Sequence, residues 1–461
     1  MSENDKINPE DAKSVKRKIR HRRRVRNQIL SYVILLLLIG ILSVVGFMGA
    51  RKLVSLFVEQ KARDEAAISE NIAAQDSVSD DNLTISSPDA INSPSENSVS
   101  DNADEVPKEP EIDPEILAII ESMTPEQKAG ALFMVSPEAI TGVDVATRAG
   151  DGTKAALEKF PVGAIVYSKQ NVTDKNQFMT MVGSTREMYN AIYAADNEIF
   201  GLMTAVREEG AFNTLAEGTG ETAASSASDI GASGEKTNAY QAYLEIGSYL
   251  NKYQIDIDIA PVCDVASESG YYQKDRSFGT DPEVVASMTS SAVSGLSDQS
   301  IVSCLTTFPG QGSVVNGISG GSTSTERSLD EFKDFEYKPF ASAIDEGAEM
   351  VMVGNLAVAE ENGEKVPSYI SYEMITEELK GNLGFDGVVI TDDLSVIAKD
   401  AGFDQGEAAL RAINAGADMI YVSSDFENTY NDVLKAINDG AIKEERLNDA
   451  LARIYTMKAD M

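Results

Sequence analysis

Histidine is almost missing from this chain: His21 is the only one. Everything beyond it therefore has no Ser-His-Asp or Cys-His arrangement, no imidazole acid or base, and no histidine metal ligand. Cysteine is nearly as scarce. Cys263 and Cys304 are too few for a disulfide framework, which leaves two buried thiols or one bridge. Positive charge is also short, with 39 Lys and Arg against 74 Asp and Glu, a net of −35. From Met1 to Asn27 the balance reverses, with ten basic and four acidic residues, a net of +6 that leaves −41 for the rest. So acidic a body repels phosphate backbones and excludes nucleic acid as a partner.

What is present begins with the basic residues. The cluster Arg20, Arg22, Arg23, Arg24 and Arg26 is followed at once by Ile29 to Ala50, an uncharged apolar run of 22 residues. At 1.5 Å per residue it spans about 33 Å, enough for the hydrocarbon core of a bilayer. It is too long for the apolar part of a secretory signal, and no small-residue cleavage site follows it. Residues 1–28 read as a cytoplasmic tail by the positive-inside rule, 29–50 as a single transmembrane helix, and everything beyond as extracellular. Residues 51–110 read as a stalk and disordered acidic spacer, because Ser, Asp, Asn and Pro dominate and apolar residues are too sparse to build a core.

From residue 111 to 461 the pattern is globular. Thr124-Pro125-Glu126-Gln127 is a capping box with proline at the first helical position. Eight short apolar runs follow: 131–135, 163–167, 200–206, 255–264, 301–308, 349–355, 387–392 and 419–423. Most are continuous rather than alternating, as strands covered on both faces should be. Amphipathic stretches at 238–253, 281–297 and 329–346 lie between them. This alternation predicts an α/β fold, a (β/α)8 TIM-type barrel, with a doubly wound open sheet as the runner-up.

Barrels carry chemistry at the C-terminal ends of their strands. Those ends here hold Arg207-Glu208-Glu209-Gly210, Asp264, Asp275-Arg276, Asn355 and Thr391-Asp392-Asp393. An Asp after a strand is commonly a helix N-cap, and Asp393 fits that role; two adjacent Asp at a barrel mouth also fit a carboxylate nucleophile or base.

The order of several motifs resembles glycoside hydrolase family 3, specifically its single-barrel bacterial β-N-acetylhexosaminidases. They are Phe160-Pro161-Val162-Gly163-Ala164-Ile165, Ala260-Pro261-Val262-Cys263-Asp264-Val265, Asp275-Arg276-Ser277-Phe278-Gly279, Phe308-Pro309-Gly310-Gln311-Gly312, and the run from Gly384 to Ser395. The resemblance implies a retaining glycosidase that cleaves cell-wall N-acetylglucosaminides without a cofactor or metal. It puts Asp392 at the nucleophile position and Arg276 at that of a sugar-binding arginine.

The same comparison locates departures. The family's K-H-F-P-G-H-G is Thr306-Thr307-Phe308-Pro309-Gly310-Gln311-Gly312, and its Asp-His acid/base dyad falls on Gly317 and Ser319. The strand-three D-Q-E-G-G is Arg207-Glu208-Glu209-Gly210-Ala211, which leaves Arg207 as an unmatched cation by the pocket; the strand-six histidine is Asn355. Tryptophan is absent, so Tyr271 and Tyr272 are the aromatic candidates for stacking on a sugar. Three readings follow. The first is a glycosidase with Glu208 or Glu209 as substitute acid. The second is a non-catalytic barrel that binds wall glycan or a protein partner. The third is a hydrolase that uses Asp392 and Asp393 with a hard cation.

Overall fold

A computed structural model of the chain describes residues 112–461, apart from 195–196, 267–273, 315–323, 326 and 361–362. The tail at 1–28, the membrane helix at 29–50 and the spacer at 51–110 lie outside the described residues. Among those described, no helix is long and apolar enough to cross a membrane.

All eight apolar runs form parallel strands of one sheet. They are β1 (Phe133–Val135), β2 (Ala164–Val166), β3 (Met203–Val206), β4 (Ile257–Asp258), β5 (Val302–Phe308), β6 (Met350–Val353), β9 (Val388–Thr391) and β10 (Ile420–Val422). A short antiparallel hairpin, β7 (Ala357–Ala359) and β8 (Lys365–Pro367), is inserted after β6. The order β10-β1-β2-β3-β4-β5-β6-β9 curls round until Ile390 bridges Met419, giving a nearly closed barrel. Every residue of β1, β2, β3, β6 and β9 is buried, which is why these strands read as continuous apolar runs.

The helices form where the sequence places them, with one exception. Thr124 closes its capping box on Gln127, and the helix Pro125–Ala131 follows. The stretch 329–346 is two helices, Leu329–Asp334 and Tyr337–Glu346. Pro339 has no N–H for the carbonyl of Phe335, and its ring crowds that carbonyl, so one continuous helix is blocked. Cys263 and Cys304 are both buried and free.

The loop after β5 keeps its shape through two glycines. Gly310 has φ +117°, a region other residues avoid, and a Cβ there would meet Glu336. A Cβ on Gly312 would lie 1.6 Å from the Val265 carbonyl oxygen. The survival of Phe308-Pro309-Gly310-Gln311-Gly312 is thus a demand of the scaffold.

Candidate active site

The site is built from β10 and the C-terminal ends of β2, β3, β4 and β9. Asp392 is the first residue past β9; its backbone N–H bonds the Val353 carbonyl at 2.9 Å, and its Oδ1 accepts the Asp393 N–H at 2.9 Å. Its side chain keeps 26% of its exposure and lines a pocket of about 500 Å³. Asp393 has a different task. Its carboxylate accepts the N–H groups of Ser395 and Ser423, both at 3.1 Å, and caps the helix Leu394–Asp400. Burial pushes its pKa up. The neighbours therefore do not form a matched pair, and among the described residues no group of three or more His, Cys, Asp or Glu could hold a metal.

Past β3 the chain turns back on itself, with the Glu209 N–H bonded to the Phe212 carbonyl at 2.8 Å. Glu208 points into the fold, where its carboxylate accepts Thr214 N–H at 2.8 Å, Leu215 N–H at 2.9 Å, Ala216 N–H at 3.2 Å and Tyr249 O–H at 2.7 Å. Burial raises its pKa, and these donors oppose that rise. Glu209 is 2% exposed and receives a two-armed bond from Arg276, at 2.5 Å from Nε and 2.6 Å from Nη2. Neither glutamate, each expected as a substitute acid, is part of the wall of the pocket that holds Asp392. Arg276 lies over the Phe212 ring, 4.7 Å from its centroid, and is likewise not part of the pocket wall.

Arg207, expected as an unmatched cation, stands between two carboxylates. Its Nη2 is 4.0 Å from Asp392 Oδ1 and its Nε is 3.8 Å from Glu209 Oε1. Both separations are too long for hydrogen bonds. Nη2 also contacts the Met352 sulfur at 3.5 Å.

Other pocket residues were not legible beforehand: Lys169, Phe212, Glu217, Ile259 and Tyr421. Lys169 pairs with Glu217 at the solvent edge. Tyr421 is held by its N–H on Thr391 Oγ1 at 3.2 Å, and burial raises the pKa of its phenol, which therefore stays a hydrogen-bond donor. Its one signal was a lone aromatic in an aliphatic final strand. On β5 and after β6, Thr306 Oγ1 and both amide atoms of Asn355 are buried without a hydrogen-bond partner among the described residues. Gly317, Ser319, Tyr271 and Tyr272 lie outside the described residues.

The Glycosyl hydrolase family 3 N terminal domain matches residues 124–457. A "Beta-hexosaminidase" of Xanthomonas campestris is 34% identical over 171 residues, 36% of this chain and 50% of the relative. An "Uncharacterized secreted glycosyl hydrolase" of Arthroderma benhamiae is 26% identical over 310 residues, 65% of this chain and 85% of the relative. Among solved structures, a family 3 β-N-acetylglucosaminidase from Paenibacillus sp. superposes with TM-score 0.67 at 28% identity, covering 74% of this chain and 63% of that one. A β-N-acetylhexosaminidase from Beutenbergia cavernae gives 0.64 at 25%, covering 73% and 99%. The chain spans about half the length of several curated relatives, 47%, 54% and 50% in three cases.

Proposed function

This chain belongs to glycosyl hydrolase family 3, and from that we propose that it is a membrane-anchored, extracellular barrel that holds N-acetylglucosaminides of wall glycan, with weakened or lost hydrolysis. The carrying observation is the Arg207 guanidinium 4.0 Å from the carboxylate of Asp392. In a retaining reaction that carboxylate attacks the anomeric carbon while a second group protonates the leaving oxygen. Arg207 faces the oxygen that would attack and competes with substrate for it. The protonating group is the weaker point. Asp393 is a cap, Glu208 is bonded into the fold, Glu209 is gripped by Arg276, Glu217 pairs with Lys169 at the solvent edge, and no histidine follows residue 21. Loss of general acid catalysis alone costs on the order of 10²- to 10⁴-fold.

A dinitrophenyl leaving group needs no acid, so slow cleavage of dinitrophenyl N-acetylglucosaminide is expected, and Asp392→Asn should abolish it. Unactivated chitooligosaccharides should be cut at least about 100-fold more slowly. Rapid turnover of the unactivated substrate by the wild type would overturn this reading. For the topology, protease added outside intact cells should digest the barrel; a protected barrel would reverse the proposed orientation.

The alternative of a purely binding barrel rests on the same pair of residues, and it predicts saturable glycan binding with no cleavage of either substrate.

A further inference from the structure

Resting on the reading that this pocket takes a sugar, we propose that its preferred ligand is an acidic one, a saccharide bearing a carboxylate or phosphate that docks on Arg207. The guanidinium carries five N–H donors, yet its closest polar contact is the Met352 sulfur at 3.5 Å. Its nearest carboxylate oxygens, on Glu209 and Asp392, stand at 3.8 and 4.0 Å, outside hydrogen-bond range. Nη1 meets no acceptor among the described residues. The contrast with Arg276 is direct, because that guanidinium grips Glu209 with two short bonds. Arg207 keeps 26% of its side-chain exposure and lines the pocket of about 500 Å³, so the missing acceptor has room to arrive as part of a ligand.

Charge-assisted bonds from a planar fork to an oxyanion are about twice as strong as those to a neutral hydroxyl or amide oxygen. Lys169 lines the same pocket, and its partner Glu217 is a solvent-exposed one that a ligand anion can displace cheaply. Three effects oppose an anion: the chain's net −35, the nearby Asp392, and the carboxylates of Asp393 and Glu217 in the same pocket wall, of which Asp393 is taken up by the Ser395 and Ser423 N–H groups and Glu217 by Lys169. The first is screened beyond about 8 Å at physiological salt. The second is offset at short range, since Arg207 already faces Asp392 and the Glu209 charge is held by Arg276.

The test is calorimetric titration of the detergent-solubilised full chain with N-acetylglucosamine, N-acetylglucosamine 6-phosphate and N-acetylmuramic acid. At least one acidic sugar should bind about tenfold tighter than the neutral one, and more weakly as salt rises. The phosphate and carboxylate arms tell which oxyanion the site takes. Arg207→Gln should erase the preference, and Arg207→Lys, which keeps the charge without the fork, should keep only part of it. Equal or tighter binding of the neutral sugar, or a preference that survives Arg207→Gln, would overturn the inference alone. If no sugar binds, the proposed glycan function falls with it.

Discussion

A carboxylate that follows a β-strand can face the solvent pocket or turn back to gather the chain's own N–H groups, and the consequences diverge. Glu208 does the second. Four donors converge on it, so its removal leaves several buried N–H groups unpaired, each costing about 1–3 kcal/mol. Glu208→Gln, which sets an amide NH₂ against those donors, should lower stability by about 3 kcal/mol in urea unfolding. A loss below about 0.5 kcal/mol, the size of an ordinary surface change, would show that it is not an anchor. This is also why sequence alone does not separate the two roles at these positions. Side-chain type and distance from a strand end are the same for an anchor and for a catalytic acid; only the partners differ, and Tyr249 lies 41 residues away. That Asp392 would stand at the barrel mouth was legible because a whole motif surrounds it. Lys169, Phe212 and Tyr421 were not, because three separate segments bring them together.

At the level of elements the chain was far easier to read. Strands buried on both faces leave unbroken apolar runs, so all eight were visible. The hairpin of β7 and β8 was not, since each strand has three residues and Lys365 is exposed. The loop after β5 allows a sharp test. Gly312→Ala drives a methyl group onto the Val265 carbonyl, where backbone must move, and should cost about 1–3 kcal/mol or more. Gly152→Ala is the control. It lies in the helix Asp151–Lys159 with nothing within 4 Å, and should stabilise by about 0.5–1 kcal/mol. Equal thermal shifts in the two variants would refute the close-approach account.

For the whole molecule, the acidic balance has a buried counterpart. Burial raises the pKa of Asp256, Asp258, Glu208 and Asp393, and that of Glu336 from 4.5 to about 7. A carboxyl whose folded pKa lies above its unfolded value binds more protons in the native state within that interval. Stability therefore falls as pH rises from about 4.5 to 7, opposite to the usual carboxylate trend. Asp418 runs the other way: burial would raise its pKa, but Lys380, Arg446 and Arg453 hold it below the ordinary value. Its contribution is lost only as pH falls through that lowered value. Lys458, pushed down to about 7 by burial, opposes the carboxyls near pH 7, because its folded form sheds a proton that the unfolded chain keeps. Several raised carboxyls stand against that one lysine, so the melting temperature should be higher at pH 5.5 than at 7.5, and Glu336→Gln should shrink the difference. A melting temperature that rises steadily from pH 5.5 to 7.5 would contradict these directions.

The two guanidiniums near Glu209 also fix what a change of charge at position 207 does. Arg207→Asp shifts the local charge by two units and sets three carboxylates, at 207, 209 and 392, beside Arg276. Arg207 thus acts as a spacer of charge: it keeps the carboxylates of Asp392 and Glu209 from facing each other without a cation between them.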